Sequence, residues 1–432
     1  MRTLVRDLRD HVGATVSVCG WVQTLRLQRR MLFVLVRDHT GTVQMTHARG
    51  DALASAITGL TTESAVRITG RVVDNPVVDL GGIELVPESV EVLNRADTPL
   101  PIDRNTTLER RLDWRFLDVR SSSAVRLVFA VQSTLEAAMR EYAFVNGCTE
   151  VHTPKLMGSP SESGAEVFKL RYFDGDAYLA QSPQFYKQMA IAAGIDRVFE
   201  VGPVFRAEPS YTARHATEFT GVDVELAWID GVEDVMAFEE RMLAYALARV
   251  AEAHGDAVRE RFGVDVTVPS LPFPRITTAE AQAVLRSGGW DAGGVKDDLD
   301  AEGERRIGAY IKERTGHEFV FVTHYPAGVR PFYHMRPAGD PASTLSFDLI
   351  WKGMETTTGA QREHRFDVLL EQAAEKGVGT GSMRHYLDCF RYGCPPHGGF
   401  GLGLGRTLML LLGLDSLREA VFLFRGPNRL AP

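Results

Sequence analysis

The sequence predicts an α+β protein in which a small N-terminal β-barrel precedes a larger domain of strands and helices. Three observations carry this: five β-branched stretches with one helical interruption before residue 95, an aperiodic proline-containing run at 95–104, and mixed strand and helix periods beyond it. Thr15 to Val22, Leu32 to Arg37, Thr42 to Thr46, Ala65 to Val73 and Ile83 to Leu93 alternate or run as β-branched stretches. Turn residues such as Asp38-His-Thr-Gly41 and Gly81-Gly82 separate them, and Asp51 to Ile57 reads as a short helix. Five strands with one helix is the element count of an OB-fold barrel. The run RADTPLPIDR from Arg95 to Arg104 reads as a linker, so the expected division is a barrel at 1–95, a hinge at 96–120 and a second domain at 121–432.

In the second domain, Ser122 to Asn146 carries apolar residues at helical spacing, is opened by serines and is closed by Gly147. Strands are expected at Arg197 to Val204, Gly221 to Trp228, Phe319 to Thr323 and Ser346 to Trp351, and an amphipathic helix at Val235 to His254. The polar, glycine-rich stretch from Ser287 to Glu304 reads as an elaboration outside the core.

With 432 residues and 44% apolar side chains the chain can bury more than one core, which excludes global disorder. A formal charge of −8 argues against coating nucleic acid by bulk charge, although local basic patches remain available. Only 7 of the 48 basic residues are Lys, and Arg is the side chain suited to forked recognition of carboxylate and phosphate. No stretch reaches 18 uncharged apolar residues and the start has no apolar signal core, so a soluble cytoplasmic protein without membrane contact is expected. Cys19, Cys148, Cys389 and Cys394 lack both disulfide-scaffold and zinc spacing and read as reduced packing thiols.

The usual phosphate loops are absent: there is no GxxxxGK[ST], and Gly401-Leu-Gly403-Leu-Gly405-Arg406 is not GxGxxG. Phosphate binding would therefore need Arg forks. Singly, Arg206, Arg214 and Arg406 each read as surface ion-pair partners. Their contexts differ from that reading. Phe205-Arg206-Ala-Glu208 ends one strand, Arg214-His215 precedes the next, and the carboxylates of Val222-Asp-Val-Glu225 lie behind. Near the C-terminus, Pro395-Pro-His-Gly-Gly-Phe-Gly-Leu-Gly-Leu-Gly-Arg406 opens an apolar helix, where glycines admit close backbone approach and a helix start favours anions.

On these residues the chain resembles the class II aminoacyl-tRNA synthetases, specifically their archaeal-type aspartyl subgroup. The helix ending at Pro154 is similar to motif 1 (about 122–154), the Arg-bearing hairpin to motif 2 (about 200–228) and the glycine strand with Arg406 to motif 3 (about 397–415). Gln181-Ser-Pro-Gln184-Phe-Tyr-Lys187-Gln and Gly359-Ala-Gln-Arg362-Glu-His364 also resemble that subgroup.

The resemblance implies an OB-fold anticodon-binding domain joined to a catalytic domain on an antiparallel sheet flanked by helices. It implies ATP-dependent activation of L-aspartate and transfer to tRNA(Asp), with tRNA(Asn) an open second acceptor, Mg²⁺ as cofactor and a homodimer built through motif 1. By similarity, Arg206 grips the α-phosphate and substrate carboxylate, Phe205 stacks on adenine, and Glu208 lies at the adenine side. Arg214, His215 and Arg406 meet the outer phosphates, and Gly403 lies in the ATP site. Glu355 and Thr358, supported by Asp348, match the metal-bridging positions. Lys187 and Arg362 would hold the aspartate side chain, while Glu162, Gln184 and Asp223 complete the amino-acid pocket, Glu162 reaching the ammonium group. Asp223 favours aspartate, because asparaginyl enzymes typically carry Glu there. Arg26, Phe33 and Gln44 fall on anticodon-reading positions, although Phe33 taken alone reads as core. Residues 1–50 carry +5 and residues 51–100 carry −5, a polarity that suits one nucleic-acid face.

The chain departs from the family where Gly405 replaces the acid usually preceding the motif 3 Arg, at Arg26-Leu-Gln28-Arg29-Arg30 in the barrel, and in the C-terminal run around Arg425. Two other readings therefore stand beside the first: an asparaginyl-tRNA synthetase, and a synthetase-like RNA-binding paralogue that charges no tRNA, which Gly405 favours.

Overall fold

The computed structural model describes residues 2–160, 167–290 and 298–432. The chain forms two compact units, Met1–Leu117 and Asp118–Pro432. In the first, β1 (Thr15–Leu27), β2 (Met31–Arg37), β3 (Thr42–Ala48), β4 (Ala65–Asp74) and β5 (Ile83–Asn94) close a barrel in the order β1-β2-β3-β5-β4, with α1 (Ala52–Thr58) between β3 and β4. Asp51 caps α1 by accepting a hydrogen bond from the Ala54 amide, which satisfies a donor that the first turn leaves open.

Period-2 alternation decides what faces inward. Val16, Val18, Val22, Leu32, Val34, Val36, Val43, Met45, Ile68 and Leu85 fill the barrel. A bulge between Val22 and Thr24 resets the parity of β1, so Leu25 packs toward the core while Arg26 is exposed. Arg26 pairs across the ladder with Phe33, and Phe33 with Thr46. Phe33 and Gln44, both half-buried, thus share the outer side of the sheet with Arg26, and Phe33 is not a core residue. Inside the unit, Arg37 donates to both Glu63 carboxylate oxygens at 2.6 and 2.7 Å, a bidentate pair sealed from solvent.

Residues 96–120 are not a featureless hinge: they contain α2 (Leu108–Asp113) and nearly all of α3 (Arg115–Ser121). The leucine and arginine spacing there supports helical turns that the preceding prolines obscure in the sequence.

The second unit begins with α4 (Ser123–Val145), capped by the Ser122 side chain accepting from the Val125 amide. A minor three-stranded sheet follows from β7 (Leu156–Met157), β8 (Lys169–Tyr172) and β9 (Gly175–Leu179). The main sheet contains β6 (Thr149–Glu150), β10 (Arg197–Phe205), β11 (Glu218–Ala227), β12 (Arg275–Thr277), β13 (Phe319–Thr323), β14 (Ser346–Trp351), β15 (Met354–Gln361) and β16 (His397–Gly403). Its order is β12-β13-β14-β15-β16-β11-β10-β6. The central ladders are antiparallel, as the resemblance implies, but both edge pairs, β12 with β13 and β6 with β10, are parallel.

Helices α4, α6 (Val232–Phe262) and α11 (Leu404–Leu412) bury Leu135, Met139, Leu243, Leu247 and Leu408 with Phe199, Val224, Phe347 and Phe400 of the sheet. α6 extends beyond Val235–His254 because its apolar stripe continues to Val258 and stops only at Gly263, which takes the left-handed conformation. A second cluster joins α5 (Gln184–Ala192), α9 (Phe366–Glu375) and α10 (Arg384–Arg391) through Phe185, Ile191, Leu369, Tyr386 and Leu387. α7 (Thr278–Ser287) and α8 (Ala301–Thr315) pack near β12 and β13. Part of the Ser287–Glu304 stretch is therefore structural: Asp300 caps α8 and Glu304 is buried. No described helix is long and apolar enough to cross a membrane.

Removing one member of the buried Arg37–Glu63 pair leaves a charge without its partner. Arg37→Met is expected to destabilise the barrel by about 3–5 kcal/mol, read as lost hydrogen-exchange protection of the β4 amides.

Candidate active site

A cavity of about 280 Å³ opens on the main sheet and is lined by residues from β10, β11, β15, β16, the start of α5 and the segment before His334. One end is rich in cationic side chains, of which Arg206 is exposed and Arg214 and Arg406 are half-buried. The β10–β11 register sets this end: Val204 pairs with Phe219, and the Arg206 amide bonds the Thr217 carbonyl at 3.0 Å. Val204, Arg206 and Phe219 consequently line the cavity, while Phe205, one residue out of phase, does not. The aromatic assignment is corrected accordingly. At this end Phe219, not Phe205, lines the cavity, and the Arg206 guanidinium lies 5.4 Å from its ring centroid.

Glu208 lies 3.9 Å from Arg206 and 3.7 Å from His215. Burial, joined by the charges of Arg406, Arg214 and Arg206, lowers the His215 pKa against the opposing pull of Glu208. Three guanidinium groups thus converge around one imidazole. Arg406, in the first turn of α11, donates to the Glu355 carbonyl at 2.7 Å, and Gly403 is the N-cap of that helix. A Cβ at Gly405 would stand 2.7 Å from Leu417 Cδ1, so Leu417 occupies the space a side chain there would take.

Thr358 donates to Glu355 Oε1 at 3.2 Å. Burial, followed by the neighbouring Asp348 carboxylate, raises the Glu355 pKa. Asp348, paired across the ladder with Thr358, is bound by Arg330 and does not itself line the cavity. Its Oδ1 is buried without a hydrogen-bond partner.

The opposite end is dry. Arg362, 3% exposed, donates through Nε to Glu225 Oε1 at 2.8 Å and through Nη2 to Glu225 Oε2 at 3.3 Å and the Gly399 carbonyl at 2.9 Å. Its Nη1 lies 3.1 Å from His334 Nε2. Four of the five guanidinium hydrogens are thereby engaged, and one on Nη1 has no partner among the described residues. Burial pushes the Glu225 carboxyl up, but Arg362 and Lys187 together hold it below the ordinary carboxylate range.

Lys187 Nζ donates to Asp223 Oδ1 at 3.0 Å, the Phe400 carbonyl at 3.1 Å and the Val224 carbonyl at 3.5 Å, and lies 3.3 Å from Glu225 Oε2. Those contacts consume its three hydrogens, and Lys187 does not line the cavity. The sequence reading gave Lys187 direct contact with the ligand. In the structure it stands behind Asp223, which does reach the cavity together with Gln184. Glu162 lies outside the described residues.

Four residues at or beside the cavity escape the sequence reading. Arg330, Tyr333 and His334 line the cavity from a segment with no recognisable motif. Glu304 receives the Glu355 amide at 3.1 Å and lies 3.4 Å from Arg214. Burial, then repulsion by Glu355, pushes its carboxyl up to about 7. The only sequence signal for Glu304 is its place four residues beyond the α8 cap.

Gly399 keeps the dry end together. A Cβ there would meet the Val224 carbonyl at 2.0 Å and Glu225 Oε2 at 2.2 Å, neither able to retreat without breaking the Arg362 pair. Gly399→Ala is expected to cost about 1–3 kcal/mol or more through overpacking, measured as a lower thermal midpoint of the larger unit.

The family described as tRNA synthetases class II (D, K and N) matches residues 107–425, and an OB-fold nucleic acid binding domain matches residues 16–93. An aspartate–tRNA(Asp/Asn) ligase of Aeropyrum pernix is 42% identical, over 99% of this chain and 98% of its own. An aspartate–tRNA(Asp) ligase of Pyrococcus horikoshii is 40% identical over 97% of each. The asparaginyl-tRNA synthetase of P. horikoshii, solved with asparaginyl-adenylate, superposes with a TM-score of 0.93 at 35% identity over the whole of both chains. With that family matched over residues 107–425 and full-length relatives at 40–42% identity, the chain belongs to the class II tRNA synthetases of the D, K and N group.

Proposed function

We propose that this enzyme activates L-aspartate with ATP and transfers it to tRNA(Asp). The observation that carries the reading is the pairing of a buried, pre-oriented Arg362 fork with a cluster of less buried arginines at the other end of one cavity. The first suits a side-chain carboxylate; the second suits a triphosphate.

An amino-acid carboxylate has a pKa near ~3.5 and is already ionised, so the activation step needs no general base. The carboxylate oxygen attacks the α-phosphorus of ATP, an O–P bond forms, and pyrophosphate leaves with the electron pair of the broken bond. Arg206 holds the α-phosphate and the attacking carboxylate in line, while Arg214, His215 and Arg406 take charge developing on the outer phosphates. Phe219 offers the adenine a stacking face. The terminal ribose hydroxyl of tRNA then attacks the acyl carbon, and AMP departs.

Mg²⁺ fits the acidic wall. Asp348 carries an unpartnered buried oxygen, and Glu355 and Thr358 supply further hard oxygen donors. Bound there, the ion would neutralise phosphate charge; Glu355 and Thr358 would hold it, with Asp348 behind them.

Arg362 and Asp223 present opposite charges to an amino acid that itself carries both. Aspartate is preferred because its carboxylate completes the fork, whereas an amide leaves the buried cation less well satisfied. The asparaginyl reading is favoured by one observation: Lys187 and Arg362 are balanced by Asp223 and Glu225, so the pocket is formally neutral. ATP–pyrophosphate exchange with each amino acid decides between them, and no exchange with either would support a non-charging paralogue. Aminoacylation of purified tRNA(Asp) and tRNA(Asn) with aspartate decides the acceptor range, which the curated relatives divide by name.

Arg26, Phe33 and Gln44 on the outer barrel surface would read unstacked anticodon bases by stacking and base-edge hydrogen bonds. The reaction belongs in the cytoplasm with its tRNA substrates. Exposed Phe144, Val145 and Leu156 at the end of α4 and beyond it supply an apolar surface for a homodimer, testable by sedimentation.

Two substitutions separate the sites. Arg362→Lys should lose at least about 1–3 kcal/mol of aspartate activation, because a point charge cannot serve Glu225, Gly399, His334 and substrate together; near-normal exchange kinetics would count against the assignment. Phe33→Ala should spare adenylate formation and weaken tRNA charging, measured as kcat/KM for tRNA, whereas equal losses in both reactions would indicate a folding role.

A further inference from the structure

We propose that Gln188 and His397 are positioning residues which, through a buried one-way hydrogen-bond relay, fix the side-chain amide of Gln184 so that its carbonyl oxygen faces the amino-acid pocket and receives the substrate ammonium group. The proposal rests on the reading above that the pocket binds a free amino acid.

The relay starts at a backbone carbonyl, which can only accept. His397, fully buried at the start of β16, has Nδ1 2.8 Å from the Pro395 carbonyl. Nδ1 must therefore carry the proton, and Nε2 is left with a lone pair. Gln188 Nε2 lies 2.9 Å from that lone pair, which requires the NH2 group of Gln188 at this point. Its Oε1 is thus turned the other way, where it accepts from the Tyr386 hydroxyl at 2.9 Å and from Gln184 Nε2 at 2.9 Å. Gln184 and Gln188 are one helical turn apart on α5, so the backbone holds their side chains on one face. With its NH2 committed inward, Gln184 exposes Oε1, which has no hydrogen-bond partner among the described residues, and the side chain lines the cavity beside Asp223.

Reversing the Gln188 amide would set its oxygen against the His397 lone pair and its NH2 against the NH2 of Gln184. The chain thus has one low-energy direction. Burial lowers the His397 pKa to about 4, so the neutral tautomer persists through the working pH range. An acceptor beside the Asp223 carboxylate is complementary to an ammonium group, whereas an amide NH2 there would oppose it. The geometry is independent of whether the side chain bound at Arg362 ends in a carboxylate or an amide.

The test uses the full-length enzyme in ATP–pyrophosphate exchange, with succinate, which is aspartate without its ammonium group, as a competitive inhibitor. Gln188→Met keeps the volume of the side chain and removes the relay. Its KM for aspartate should rise about tenfold, the cost of a misdirected charge-assisted hydrogen bond, while KM for ATP and the succinate inhibition constant stay within about twofold of wild type. In a Gln184→Met background the same substitution should add no further loss.

A parallel rise in the succinate constant would mean that the pocket has collapsed and would overturn the relay, as would an unchanged KM for aspartate. Should Gln188→Met lose cooperative melting, Tyr386→Phe provides the same comparison with a smaller expected rise of about two- to threefold. Wild-type enzyme without exchange for any amino acid would overturn the functional reading and the relay together. Active wild type with an unaltered Gln188→Met overturns the relay alone.

Discussion

The amino-acid end of the site depends on one buried cluster of four charges. Lys187 from α5, Asp223 and Glu225 from β11, and Arg362 beyond the end of β15 bring two cations and two carboxylates into contact in a region almost closed to water. Burying any one of them alone would be costly, and the group is tolerable because each charge meets an opposite charge in good geometry and the remaining hydrogens reach backbone carbonyls. Such a cluster adds little net stability compared with apolar packing. What it provides is direction: every guanidinium hydrogen but one is committed before a ligand arrives.

The sheet makes that cluster possible. β16 runs between β11 and β15, and its glycines let the Glu225 carboxylate lie against the strand instead of being pushed away from it. On the face packed by α4, α6 and α11, aromatic and aliphatic residues form the larger core, so the strands are held rigidly where the site needs them. The rigid scaffold and the polar floor are two sides of one alternation.

The two ends of the cavity treat charge differently for a physical reason. Arg206 and Arg214 have side chains 45% and 29% exposed, and their protein partners lie at 3.9 and 3.4 Å, so they can exchange those partners for phosphate oxygens at modest cost. Arg362 is enclosed and held in one orientation by Glu225, Gly399 and His334. Glu304 belongs to the cationic end by position and to the buried end by environment, since it lies against Arg214 while holding the Glu355 amide.

The sequence by itself determined the barrel, the order of the principal strands and helices and the family, because alternation, helical spacing and motif spacing are local properties of the chain. It also pointed to Arg206, Arg214, Arg362 and Arg406, which the fold brings to one cavity and whose neighbours in sequence carry the recognisable patterns. Only the tertiary structure decided which aromatic faces the cavity, because the choice between Phe205 and Phe219 depends on strand register and a shift of one residue inverts every side chain. Only it placed Lys187 behind Asp223 and brought Glu304, Arg330 and His334 to the site. Those contacts join residues tens to hundreds of positions apart, and no local pattern encodes a meeting that is fixed by how the sheet orders its strands.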